Sequence, residues 1–256
     1  MKYILSDSAQ AVVKAFLCLP FPRHQVACPY YNNRRQRLRA ALRVYVGKGS
    51  PEDIAQEATI IALREHLDLE KFSNEELRKF LIDNNLGIDC SGFCFHILSA
   101  QTHSQNRSLS SLYYPQARSL WRKLLIRLRP AENFNVSVLA DERNSQSIPW
   151  TKARPGDFIL MLKTGRKNDI DHVLIITEVE TDEHDRLLSI QYTHSFAWST
   201  DGRYDTGVRT GLITVTNSTQ TLIQQQWEEK GQKQEKNETF LHAIQAQTLD
   251  LRRLRS

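Results

Sequence analysis

From Arg154 onward the hydrophobic pattern changes period, and that change constrains the fold more than any other feature. Asp157–Lys163, His172–Glu180, Leu187–His194 and Gly211–Asn217 are β-rich runs separated by Pro-Gly, acidic and Gly-containing turns. Strands that follow one another without helices between them pair antiparallel, and the segments before residue 150 carry helical signals. Helices first and a sheet afterwards imply the α+β class.

The helical half is well punctuated. Ser50-Pro51-Glu52-Asp53 is a helix start, with a capping serine, proline in the first turn and two acids at the positive dipole end. That helix is expected to reach about Leu67. Ser73 and Glu76 form a capping box for a second helix ending near Asn84-Asn85, with Phe72 and Leu77 as its staple. A very apolar helix is expected from Cys90 to Ser99. A further one, Leu120–Arg129, carries Trp121, Leu124, Leu125 and Leu128 in one stripe. We expect that stripe to lie on the core rather than on a membrane surface. Residues 1–50 read as irregular structure with one basic helix, Asn33–Arg43, as a solvated face rather than an anion-binding arm. Gly47-Lys48-Gly49-Ser50 lacks the glycine spacing of a phosphate loop. Residues 218–239 read as a solvated helix or loop, and Leu249–Leu254 as a last edge strand.

Composition is that of an ordinary globular chain: 256 residues, 40% hydrophobic and 25% charged, with 10 Gly and 8 Pro. This excludes collagen-like or predominantly disordered chains. The net charge of +5 favours anionic partners without choosing among them. No run approaches the roughly 20 apolar residues that cross a bilayer. Ala9–Leu19 is the one candidate export signal, but Asp7 and Lys14 spoil it and no cleavage site follows, so a cytoplasmic location, or non-classical export, is expected. The four cysteines, Cys18, Cys28, Cys90 and Cys94, match neither a disulfide framework nor a zinc knuckle. No metal, cofactor or nucleotide site is expected.

Chemistry concentrates in Gly87-Ile88-Asp89-Cys90-Ser91-Gly92-Phe93. Asp89 is a good N-cap, which puts Cys90 in the first turn of a buried helix. The N–H groups and positive end of that helix would stabilise a thiolate, and the same groups could hold an oxyanion beside Asp89 and Ser91. The competing reading is an ordinary buried thiol. An imidazole base is available in His172, at the head of a core strand. A hairpin centred near residue 183 would set it across from His194, which would then orient its ring. Cys94 and His96 read as core residues.

The G-I-D-C-S-G-F run, the R-P-G-D-F strand entry and the D-H-V-L-I-I strand, in that order, resemble the NlpC-type cysteine peptidases of the papain-like superfamily over roughly residues 74 to 254. The resemblance implies a papain-like domain at 71–256, with a nucleophile at the N-terminus of a buried helix packed on an antiparallel sheet. Residues 1–70 would be a helical extension. It implies Cys90 as nucleophile, His172 as general base and acid, and His194 as the third residue, with no cofactor. The substrate would be a peptide or peptidoglycan fragment, cleaved at an amide bond of a cell-wall stem peptide. Amidase or acyltransferase chemistry would use the same thioester. Two alternatives stay open: a non-catalytic peptide- or wall-binding module with an unreactive Cys90, and a nucleic-acid binder using Arg34–Arg43 and the helix at 119–129. The latter is disfavoured because no aromatic stacking platform accompanies the arginines.

Overall fold

The alternation in the β-rich half builds the sheet that organises the molecule. Phe158, Leu160, Val173 and Ile175 point to one face, while Ile159, Met161, Leu174 and Ile176 point to the other, all buried. A computed structural model describes residues 1–33, 42–117 and 119–255. Most of the predicted Asn33–Arg43 helix therefore lies outside the described residues.

In chain order, β1 (Lys2–Ile4) and α1 (Asp7–Leu17) precede α2 (Pro51–Arg64), α3 (Asn74–Asp83) and α4 (Cys90–His103). After them come α5 (Leu120–Leu128), α6 (Pro130–Asn133) and α7 (Val136–Ala140), then β2 (Ser145–Ser147), β3 (Phe158–Thr164), β4 (Ile170–Thr181) and β5 (Leu187–Phe196). The chain continues through β6 (Gly207–Thr214), β7 (Gln226–Glu229), β8 (Gln232–Lys233), α8 (Glu238–Gln245) and β9 (Thr248–Leu254). The strands form one open antiparallel sheet in the order β2-β9-β3-β4-β5-β6-β7-β8, and β1 pairs with the far end of β4. The fold is α+β.

Helices α1, α2, α3, α4, α6 and α7 contribute to the core over one face, and α8 covers the other. Both predicted helix starts are present. Ser50 and Asp53 cap α2 reciprocally, as Ser73 and Glu76 cap α3. Phe72 meets Phe80 edge-on, ring centroids 5.9 Å apart.

Four expectations are corrected. Within residues 1–50, read as irregular structure with one basic helix, Asp7–Leu17 forms α1, capped by Ser6. Its Ala9, Val13 and Phe16 are buried, and Phe16 lies 5.4 Å from the Phe93 ring of α4. Residues 1–70 thus share a core with α4 and the sheet. Residues 226–229 form a strand, because Gln225, Trp227 and Glu229 alternate inward and Trp227 packs on Tyr192. β9 is an interior strand between β2 and β3. In α5, only Ile126 is buried, and the stripe of Leu120, Trp121, Leu124, Leu125 and Leu128 faces outward. Among the described residues no helix is long and apolar enough to cross a membrane.

Candidate active site

The head of α4 is assembled from three chain segments. Ile88 bridges to Tyr30 on one side and to Lys48 on the other, and the Asp89 N–H donates to the Gly47 carbonyl at 3.0 Å. Gly47 turns at φ +72°, which favours glycine. Gly92 lets this turn approach the helix, because a Cβ there would stand 2.6 Å from the Gly47 carbonyl oxygen. Asp89 caps α4 by accepting the Gly92 N–H at 2.6 Å. The same Oδ1 receives the Lys48 ammonium at 2.7 Å and the Ser91 hydroxyl at 3.0 Å, and Lys48 Nζ reaches Ser91 Oγ at 2.6 Å. All three side chains are buried. Asp89 and Ser91 thus bond each other and Lys48, and both line the cleft beside Cys90. Lys48, dismissed with the phosphate-loop reading, is the cation that this acid demands.

Cys90 opens α4 and lies on the wall of a cleft of about 400 Å³. Tyr30, Asn32, Lys48, Glu132, Asn135 and Asp171 are among the other lining residues. Backbone N–H groups of Ser91 and Val173 donate to its sulfur. The Val173 contact sets the thiol one peptide unit from the Cα of His172. Burial, reinforced by the Asp89 charge, nonetheless pushes the thiol up to about 12, against the opposing pull of Lys48 and the two N–H groups. Burial thus opposes the thiolate that the helix end and Lys48 favour.

His172 and His194 meet directly, His172 Nε2 to His194 Nδ1, at 2.9 Å. They do so diagonally. The ladder pairs Ile175 with Thr193 and Ile176 with Tyr192, two residues away from the predicted register. A bulge at Thr177 follows, and Asp182 sets the turn by accepting the His184 and Arg186 N–H groups. A two-residue slip preserves the face, so the rings still converge. Both histidines are fully buried on the face of Leu174 and Ile176. His172 packs under Phe196 and Trp198, with centroids at 4.6 and 5.4 Å.

The next partner comes from β7, the strand read as part of a solvated helix or loop. His194 Nε2 lies 2.8 Å from Glu229 Oε2. Thr239 and Tyr192 hydroxyls donate to the same carboxylate at 3.0 and 3.1 Å, and Arg209 stands 3.8 Å away. Arg209 is clamped in turn by Asp201, at 2.8 and 2.6 Å. Burial would raise the Glu229 carboxyl, but His194 and Arg209 outweigh it and hold the group below its usual range. A buried acid at i+2 from the inward Trp227 was the available signal.

The donor order depends on the tautomers, and one arrangement with a single proton on each ring leaves a lone pair at the end of the chain. In it, ionised Glu229 accepts from His194 Nε2, His194 Nδ1 accepts from His172 Nε2, and His172 Nδ1 is left as a bare lone pair. That nitrogen has no hydrogen-bond partner among the described residues. Burial, then the neighbouring His194, His242 and Arg209, hold His172 well below the ordinary histidine range. The resting site holds a neutral thiol packed on the Val173 face of β4 and a neutral imidazole on the Leu174 face, and no hydrogen bond joins them among the described residues. Cys94 is buried core, and His96 bonds the Lys48 carbonyl at 3.0 Å.

No family model, curated protein or solved structure matches the chain.

Proposed function

We propose that the protein is a thiol-dependent amide hydrolase of papain-like design, with Cys90 as nucleophile, His172 as base and His194–Glu229 as the relay that orients it. The observation that carries this reading is the bare Nδ1 of His172. A buried nitrogen without a partner costs about 1–3 kcal/mol, and here it ends a chain of otherwise satisfied groups on the residue next to Val173, whose N–H donates to the Cys90 sulfur. Such an arrangement is costly as packing and useful as a base.

In the reaction, the His172 ring turns to the Val173 face of β4, where Cys90 lies, and the sulfur attacks an amide carbonyl while its proton passes to His172 Nδ1. The charge that forms on the ring is stabilised through His194 by Glu229. His172 then delivers the proton to the leaving amine, and water resolves the thioester.

The substrate class, a short cell-wall stem peptide, rests on the resemblance of the G-I-D-C-S-G-F run. Among the described lining residues of the cleft, Asp89, Glu132 and Asp171 are acids and Lys48, already paired, is the base. These residues give no support to a substrate chosen for its carboxylates.

The test is mass spectrometry of the protein incubated with stem peptides and hydroxylamine. A peptide hydroxamate, formed when hydroxylamine intercepts the Cys90 thioester, and a released amine are expected, both lost in Cys90→Ala and His172→Ala. Cleavage that persists in Cys90→Ala would sink the proposal. The neutral thiol favours one second reading, a peptide-binding module. It predicts stem-peptide binding unchanged by Cys90→Ala, with no hydroxamate under any condition.

A further inference from the structure

We infer that α5 is a docking element for an anionic lipid bilayer surface. At 100° per residue, Leu120, Leu124, Leu128, Trp121 and Leu125 occupy one arc of about 140°. Ile126, the one buried residue of the helix, lies on the opposite side. The apolar arc therefore points directly away from the protein: Leu120 is 82% exposed, Trp121 77% and Leu128 70%. Arg122, on one flank of Ile126, and Lys123 and Arg127, on the other, complete the helix. The Arg122 guanidinium bonds the neutral Asn133 amide oxygen at 3.0 Å, so its charge is not cancelled there.

Charge identifies the occupant. Between Asp89 and Glu132 the chain has no acidic residue and six Lys or Arg, four of them in Arg122–Arg129. An outward apolar arc with tryptophan, flanked by cations and free of acids, is the geometry of a helix lying in a bilayer interface. Such helices sink about 5–10 Å into the headgroup boundary, with cations against anionic lipid. A second copy of this chain would offer the same cations and repel them. Nucleic acid would pair the cations but leave the leucines in water. Helix α5 runs through Pro130 into α6, whose Glu132 lines the cleft, so docking holds the cleft at the bilayer surface.

The experiment is co-sedimentation of the full chain with phosphatidylglycerol–phosphatidylcholine vesicles and with pure phosphatidylcholine vesicles, alongside tryptophan emission. We expect binding to the anionic vesicles alone, weakened by salt, with a blue shift absent in Trp121→Phe. Leu124→Asp with Leu128→Asp should abolish binding while leaving circular dichroism and Tm unchanged, since both side chains are exposed. Arg122→Gln, Lys123→Gln and Arg127→Gln together should weaken partition roughly 100-fold. Absence of vesicle binding overturns the inference. So does a concentration-dependent dimer, or binding to an oligonucleotide, that the leucine variants abolish while vesicle binding is nil.

Discussion

Cys90 illustrates how far a residue's neighbours override its position. A cysteine at N1 of a helix is normally acidified. Here burial and the adjacent Asp89 outweigh the helix end and Lys48. Alkylation by iodoacetamide at pH 8 should therefore modify exposed Cys18 first. Cys90 should react on the order of a thousandfold more slowly than a free thiol of pKa near 8.5. Rapid labelling of Cys90 in a peptide map would contradict that protonation state. Lys48 is equally bound to its neighbours. Lys48→Met leaves the Asp89 charge buried without its cation and should cost about 3 kcal/mol in urea unfolding. A loss below 0.5 kcal/mol (about a twofold change in the folding constant) would show the pair to be dispensable. Asp89 and Cys90 were legible in the sequence because an N-cap is a local signal. Lys48 was not, since its partner lies 41 positions away and only the fold supplies the contact.

At the level of elements, the strands that carry His172 and His194 were readable from alternation. Their register was not, because a bulge at Thr177 is invisible to period counting. β7 was missed for a related reason: its inward positions are Gln225, Trp227 and Glu229, two of them polar, so hydrophobic alternation fails where polar groups are buried for each other. That strand carries the strongest test of the relay. Glu229→Gln keeps the shape but removes the charge that orders the two rings. Amide turnover should fall at least about 100-fold, with little change in KM. Unchanged turnover would leave Glu229 a packing residue. α5 shows the converse failure. Its moment was read correctly, but the face that periodicity assigns to the core faces solvent, because period alone does not say which side meets the protein.

For the whole molecule, the buried titratable groups bracket stability on both sides. His172, His96 and His242 are all held below the ordinary histidine range, burial being the first cause in each. The unfolded chain takes up protons near pH 6.5 that the folded chain refuses, so stability is lost as pH falls below that value. The slope is up to about 1.4 kcal/mol per pH unit for each histidine. Cys90, Cys28 and Cys94 are all raised by burial. The unfolded thiols ionise near pH 8.5 while the folded ones do not, so stability also falls as pH rises above that value. Urea midpoints should peak between about pH 6.5 and 8.5, and His172→Gln should flatten the acid limb. A midpoint that is level down to pH 5 would contradict the buried neutral histidines.

β9 lies between β2 and β3, yet it follows every other strand of the sheet in the chain. During synthesis, Phe158–Leu162 therefore waits with one ladder edge vacant until Thr248–Arg252 leaves the ribosome, some ninety positions later. A nascent chain stalled before that point presents a bare, apolar strand edge to its neighbours on the polysome. Holding that edge open is the window in which a chaperone is most needed and aggregation most easily seeded.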